Sequence, residues 1–515
     1  MVRVLLGVWF VGSLPFAGLA QRPGSDTTYQ QVFRPQYHFS PRANWINDPN
    51  GLVYFDGEYH LFYQHNPFGS RWGHMTWGHA ISRDLVHWRE LPPAIAEEGN
   101  TMIFSGSCVV DKTNSSGFGR GSTPPMVAIY TGHQENRQSQ HIAYSTDKGR
   151  TWTKYDANPV IDLNKKDFRD PKVFWHEPTR RWVMVVLLPT EKKALFYNST
   201  NLRQWTKTGE FVSPDSPATI WECPDLVEVP VDNAVERKWL LLLSMGGNAP
   251  AGGPGMQYFV GRFDGKTFVS ESKPGEPRYV DYGKDYYAAI TFNNLPIRGN
   301  RGPISIGWMN NWQYANDLPT TVFRGAMTLP RELKLVQRAD GKTTRYDLRQ
   351  QPVQELNQLL DTPFRMMGTD VTAFNRQLTY AEPLTDAYLL TAELEPQPGT
   401  TDYRILLHKN PRNDADATVI GYDVVKQQLY VDRSRVGQTA FHKDFPGRYA
   451  APLKPQNGRV SLQIWVDRSS VEVFANDGAV TMTNQVFPDP ANTGIRLLGN
   501  GWQAVTIHPV AGIWR

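Results

Sequence analysis

The sequence predicts an all-β protein, a five-bladed β-propeller followed by a C-terminal β-sandwich, and three features carry that reading. Short Val/Ile/Tyr/Phe/Trp runs separated by Gly, Pro and Asn dominate the chain, and aromatics reach 12% with 16 Trp. A multi-strand unit recurs five times between about residues 40 and 340. Beyond residue 356 the strands show a cleaner apolar/polar alternation of their own. With 515 residues there is chain enough for more than one hydrophobic core.

Taken in order, the chain opens with a leader. Arg3 supplies a positive end, Val4 to Ala20 is apolar, and Gly18-Leu19-Ala20 offers small residues for cleavage before Gln21. Residues 1–20 therefore read as a signal peptide. The alternative is a membrane anchor, against which stand the glycines and proline that break the run. The mature protein is expected to be secreted or periplasmic, with no membrane partner.

The propeller is assigned to residues 32–340. Each unit opens with a short apolar strand: Leu52–Phe55, Ser105–Val110, Asp170–Trp175, Pro224–Val229 and Tyr286–Phe292. The openings at residues 48, 105, 170, 222 and 286 lie 57, 65, 52 and 64 residues apart. A second strand follows in each: Tyr59–Gln64, Met126–Thr131, Trp182–Leu188, Trp239–Met245 and Pro303–Met309. In the first four units a third strand then runs through a polar turn to an aromatic, at Trp88, Trp152, Trp205 and Phe268. A generic sandwich would have to produce five matched openings by coincidence.

Residues 341–355 read as a linker, with a short helix over about Leu348 to Leu360, and residues 356–515 as the sandwich. There Val460, Leu462, Ile464 and Val466 share one face, while Ser461, Gln463 and Trp465 share the other. Val471-Glu472-Val473-Phe474 leads to Asn476-Asp477-Gly478, a hairpin signal. This part lacks an acid cluster comparable to that of the first, and its expected role is structural.

Composition excludes several functions. A net charge of +4 without a basic block argues against nucleic acid. Two cysteines, Cys108 and Cys223, exclude a disulfide scaffold, and their being paired or free is left open. Asn114-Ser115-Ser116 and Asn198-Ser199-Thr200 are sequons that matter only in a eukaryotic host. His74 and His79 lie five apart with no carboxylate at ligand spacing, so no metal is expected.

Three carboxylates share one setting. Asp48 sits in Asn44-Trp45-Ile46-Asn47-Asp48-Pro49-Asn50-Gly51, read as a sharp turn before a strand. Asp170 follows Arg169 and precedes Pro171, and Glu222 stands in Glu222-Cys223-Pro224-Asp225. Taken singly, each is an ordinary turn or strand entry. In a propeller the first strand of every blade lines the central channel, so the three acids converge at one mouth. Proline after each fits an irregular strand start. Glycosidic bond cleavage needs such a set: one acid to protonate the leaving oxygen, and a carboxylate to attack the sugar carbon or activate water. Trp221 and Cys223 are expected to keep Glu222 protonated. The neighbouring asparagines are expected to hold Asp48 ionised, and Arg169 to do so for Asp170.

These motifs resemble family 32 of the glycoside hydrolases, the invertases, exo-inulinases, levanases and related fructosidases. The resemblance rests on Trp45 to Gly51, Phe104-Ser105-Gly106, Arg169-Asp170-Pro171 and Glu222-Cys223-Pro224-Asp225. It extends through Asp281 to Phe292 and Trp465 to Phe474, covering the chain from about residue 35 to its end. It implies Asp48 as nucleophile on a terminal β-fructofuranosyl unit, Glu222 as general acid and then base, and Asp170 as a binder of ring hydroxyls. It further implies a fructose pocket shaped by Asn47, Gln64, Trp72, Phe104, Ser105, Arg169 and Trp312. Retention would follow, with Asp48 and Glu222 roughly 5–5.5 Å apart, and no metal or organic cofactor would be needed. The expected partner is a fructose-containing oligo- or polysaccharide. Gly252 to Gly261 and Trp312-Gln313-Tyr314 look more like exo-inulinases and levanases than plant invertases, so exo-hydrolysis of inulin or levan, with sucrose also cleaved, is the favoured activity. An enzyme acting mainly on sucrose, a fructosyltransferase, a five-bladed arabinose- or xylose-releasing enzyme and a non-catalytic fructan-binding protein are the alternatives.

Overall fold

A computed structural model describes residues 28–514 apart from 233, 297–298, 342 and 381–384. The expected leader at residues 1–20 lies outside the described residues. The described chain is all-β, with one α-helix, Val371–Tyr380. No helix among the described residues is long and apolar enough to cross a membrane.

Five sheets follow one another along residues 44–352, each built around an antiparallel run of strands in chain order. Their first strands are Asn44–Phe55, Met102–Val110, Arg169–His176, Trp221–Pro230 and Tyr287–Thr291. Each first strand contacts the next, and the fifth contacts the first, so the five form a closed ring. The short strand Phe323–Arg324, after the fifth sheet has begun, pairs in parallel with Asn44 and Trp45 of the first.

The recurring aromatic has a local cause. After the third strand of the first sheet, Asp84 Oδ1 accepts the backbone N–H groups of Val86 and His87, and Trp88 Nε1 donates to Leu85 O at 3.1 Å. The same turn recurs with Asp147 and Trp152, whose indole reaches Gly149 O at 3.1 Å. It recurs again with Asn201 and Trp205, whose indole reaches Leu202 O at 2.7 Å. A side-chain oxygen two to four residues back caps the turn, and the indole closes it before the fourth strand. The fifth sheet lacks this device and closes with the hairpin Arg331–Asp340 and Thr343–Pro352. That strand corrects the expected linker at 341–355. The polar run pairs along the whole of its neighbour, so Thr343–Pro352 belongs to the fifth sheet, and only the single 3₁₀ segment Gln354–Leu359 follows in place of the expected helix.

Two further sheets, of six and five strands, face one another over residues 364–509. Leu390, Ile464 and Val473 from one and Ile405, Ile420 and Leu497 from the other fill the core between them. Val460, Leu462, Ile464 and Val466 all enter that core, as their alternation predicts, and the Asn476-Asp477-Gly478 turn joins the paired strands Ser470–Ala475 and Val480–Gln485. Trp465, on the opposite face, is buried with Phe39, Ile46 and Leu389 against the five-sheet part.

The acids of this second part serve the same interface. His38 bridges Asp467 at 2.8 Å and Glu472 at 2.9 Å. Arg331 binds Glu472 at 2.5 Å and Asp281 at 3.0 Å, with all these side chains essentially buried. Burial alone would depress the imidazole of His38, but its two carboxylate partners win and lift it to about 9. A Cβ on Gly283 would lie 2.1 Å from Thr483 O, so only glycine allows the two backbones to approach there. Removing one member of a buried, fully partnered set strands the others. Arg331→Met is therefore expected to cost about 3–5 kcal/mol in denaturant unfolding. Arg404→Met, which breaks a half-exposed 2.6 Å pair with Asp402, should cost under about 1 kcal/mol.

Candidate active site

All five inner strands break their ladder at the same place. Their registers shift between Ile46 and Pro49, Ile103 and Gly106, Arg169 and Lys172, Glu222 and Asp225, and Tyr287 and Ile290. A bulge re-aims the side chains at the break. Here the breaks hold Asp48, Ser105, Asp170, Cys223 and Ala288. Asp170, Cys223 and Ala288 take φ of 66°, 46° and 53°, a left-handed backbone uncommon outside glycine. The freed N–H groups find partners: that of Asp170 donates to Thr131 Oγ at 3.0 Å, and that of Ala288 to Ser244 Oγ at 3.1 Å. Asn-Asp-Pro-Asn-Gly is thus not a turn between strands. Its residues stay inside one twelve-residue strand, whose ladder breaks at Asn47-Asp48 and again between Asn50 and Val53.

The three predicted carboxylates meet in one cavity of about 590 Å³, with Asn47, Gln64, Trp72, Phe104, Ser105, Arg169 and Trp312 also in its lining. Asp48 is buried. Its Oδ2 accepts from Ser105 Oγ at 2.7 Å and from the Cys223 thiol at 3.3 Å, and its Oδ1 from Asn47 Nδ2 at 3.0 Å. Asn47 is aimed by Trp45, whose indole donates to its Oδ1 at 2.7 Å. Asp170 Oδ2 accepts the Cys223 N–H at 2.9 Å. Glu222 is gripped by Arg169, through Nη2 at 2.9 Å and Nε at 3.2 Å, and by the Tyr287 hydroxyl at 2.5 Å.

The electrostatics depart from the sequence reading. Burial raises the carboxyl of Asp48, against the bonds from Ser105 and Asn47 that favour its ionised form. Burial also lifts Asp170 to about 7, outweighing the pull of Arg169, while Glu222 and Asp48 push it further up. Adjacency to Arg169 in sequence does not place its guanidinium on Asp170: the nearest approach is 3.9 Å, and the direct bonds go to Glu222 and Asp167. Trp221 turns away from Glu222 into the core and donates to Ser216 Oγ at 3.1 Å. Burial and the surrounding carboxylates push the Cys223 thiol well up, so it stays protonated and donates.

Several contributors lie outside the predicted set of site residues, although Cys223 is already read from sequence as a neighbour of Glu222. Tyr287 and Cys223 hold the acids; Gln138 and Asp167 hold Arg169; His133, Ile220, Pro254 and Asn316 complete the walls. Asn316 Oδ1 accepts the Trp72 N–H at 3.0 Å and so pins the rim loop. Tyr287 and Cys223 stand at the inner-strand breaks, a position that the five openings mark. Gln138 and His133 carry no such signal. His74 and His79 do not meet: His74 pairs with Glu97 on the surface, and His79 lies buried against His60. Both cysteines are free and buried, on inner strands of different sheets.

Residues 38–352 match the glycosyl hydrolases family 32 N-terminal domain, and residues 355–511 the family 32 C-terminal domain. The chain is 47% identical to a levanase of Bacillus subtilis (strain 168) over 100% of its own length and 75% of that protein. It is 40% identical to an extracellular exo-inulinase of Aspergillus ficuum, covering 94% of this chain and 96% of that one. Among solved structures, it superposes on an exo-inulinase from Aspergillus awamori with a TM-score of 0.85 at 37% identity, over 94% of this chain and 100% of that one. A fructofuranosidase from Schwanniomyces occidentalis, complexed with fructose, gives 0.82 at 35% identity, over 93% and 98%.

A buried acid whose carboxyl is raised to about 7 works against the fold at high pH. Its neutral form is retained more readily folded than unfolded, so the stability it permits is complete below the ordinary aspartate value and is lost as pH climbs through about 7. Asp170→Asn removes that loss. The variant's Tm should exceed that of the parent by more at pH 8 than at pH 4.5; a gap that shrinks with rising pH would contradict the assignment.

Proposed function

This chain belongs to glycosyl hydrolase family 32, and from that premise we propose that it releases terminal β-fructofuranosyl units from fructans, inulin or levan, and from sucrose, with retention. It is a glycoside hydrolase. We read the ring of five sheets, through Pro352, as a five-bladed propeller carrying the site, and the two-sheet remainder as a β-sandwich. The leader at residues 1–20 and the extracellular standing of the inulinase relatives support export.

The observation that carries the reading is the convergence of Asp48, Asp170 and Glu222 around Cys223 on one cavity. Asp48, held from three sides, attacks the anomeric carbon of the terminal fructosyl unit. Glu222 gives a proton to the glycosidic oxygen, and the leaving sugar departs with it. Water then enters, Glu222 takes its proton, and the hydroxide oxygen attacks the fructosyl carbon and frees Asp48. Asp170 faces the ring, where the positive charge that develops in the transition state favours its ionised form. The Gln64 side-chain amide supports a sugar in this pocket: its Nε2 is buried in the cavity wall without a protein partner among the described residues, a donor left for a hydroxyl.

Product analysis tests the activity. Protein lacking residues 1–20, given sucrose, inulin and levan separately, should yield free fructose as the sole early product from a polymer. A ladder of short fructans would overturn exo attack, and no cleavage would overturn the enzyme reading. The acid is tested by Glu222→Ala, which should slow sucrose about 10²–10⁴-fold and β-D-fructofuranosyl fluoride far less, because fluoride leaves without protonation. Equal losses would remove Glu222 from that role.

A further inference from the structure

His133 stands in the cavity wall at the end of the strand Met126–Gln134, and the mechanism above does not use it. Its ring lies flat on Phe104, with centroids 4.1 Å apart and planes 5° from parallel. Its tautomer follows from its neighbours. The backbone N–H of Phe168 can only donate, and it bonds Gln138 Oε1 at 2.8 Å. Arg169 Nη1, also only a donor, reaches the same oxygen at 3.3 Å. The Gln138 amide is thereby oriented, and its Nε2 donates to His133 Nδ1 at 3.1 Å. A ring nitrogen that accepts carries no proton, so the hydrogen of the neutral ring sits on Nε2. That Nε2 has no protein partner among the described residues, and the ring is only half-buried.

The location follows the same bonds. Gln138 links His133 to Arg169, and Arg169 grips Glu222. Asp48, Ser105 and Asp170 are buried, whereas Glu222 and His133 are both half-buried and so nearer solvent. The glycosidic oxygen must meet Glu222, so the departing sugar lies on that more exposed side of the buried acids.

We infer that His133 is a specificity-determining residue whose Nε2–H donates to a hydroxyl of the sugar unit that leaves, with Phe104 holding the ring in plane. The inference rests on Glu222 as the acid. Protonation of the ring would place a second hydrogen against the Gln138 amide, so the neutral donor is the form that the wall accommodates; burial and Arg169 lower the imidazole in the same sense.

His133→Phe keeps a flat ring on Phe104 and removes the donor, and His133→Gln keeps a donor. With His133→Phe, kcat/KM for sucrose should fall about 5–10-fold, chiefly through KM. The loss for β-D-fructofuranosyl fluoride, whose leaving group has no hydroxyl, should be several-fold smaller. His133→Gln should recover a good part of the sucrose loss. Equal losses on the two substrates, or no loss on sucrose, would overturn the inference, and turnover of the fluoride reports whether each variant has folded. Glu222→Ala, measured on the same pair, separates the two failures: equal losses there discard the acid assignment, whereas a retained difference there with none in His133→Phe discards only the role of His133.

Discussion

Two buried carboxylates depend on one cysteine. Asp48 and Asp170 come from the first and third inner strands, and burying both acids in one pocket is costly unless something between them donates. Cys223 does so twice, with its thiol to Asp48 and its backbone N–H to Asp170. It can reach both only because its own strand is broken there and its φ is 46°. Sites that hold a residue in this sparsely populated backbone region do so because the surroundings over-determine it. Here those surroundings are the neighbouring inner strands.

Below the acids lies a second polar layer. Lys172, two residues beyond Asp170, pairs with Asp225 at 3.0 Å with both side chains almost wholly buried, and its Nζ donates to Thr291 O at 2.8 Å. Asn293 donates to Cys108 O and Val173 O, both at 2.9 Å. Third, fourth and fifth inner strands are thus tied at the centre, and the second joins through Ser107, which accepts the Val173 N–H. A buried pair of this kind adds little net stability over an apolar replacement, but breaking it by halves is costly. Its evident effect is to fix register. A slip of one residue in any inner strand would turn its site residue out of the pocket.

Much of this was legible. The five openings predict the five inner strands because apolar runs bounded by turn residues have few other uses, and the indole-closed turn explains why Trp88, Trp152 and Trp205 recur in step. What misled was adjacency. Arg169 precedes Asp170, yet a bulge sends the two side chains to different partners, and burial, which no local pattern reveals, decides the direction in which Asp170 shifts. Trp221 precedes Glu222, yet alternation in a strand points it to the opposite side. The polar run after Gln337 read as a linker because its outer strand faces solvent and lacks apolar alternation, although it pairs completely with Arg331–Asp340. Gln138 and His133 could not be found, because Gln138 acts through Arg169 of the next sheet and His133 acts through Gln138, its cross-strand neighbour, and no local pattern marks either bond.

The second, two-sheet part then acquires a role beyond packing. Asp285 donates its backbone N–H to Thr483 O at 3.0 Å, and its carboxylate is bound by Arg433 and by the N–H of Gln485 at 2.8 Å. Two residues later stands Tyr287, whose hydroxyl grips Glu222. The segment from Asp281 to Tyr287 is therefore fixed at one end by the second part of the chain and delivers a hydroxyl to the site at the other. Because Asp281, Asp285, Asp467 and Glu472 are all buried with bonds across this interface, to Thr483, Arg433, His38 and Arg331, separating the two parts would leave charged groups uncompensated on both faces. Arg433, Thr483 and Gln485 of the second part thereby position the fifth inner strand, and through Tyr287 they act on the carboxylate that is proposed to move the proton.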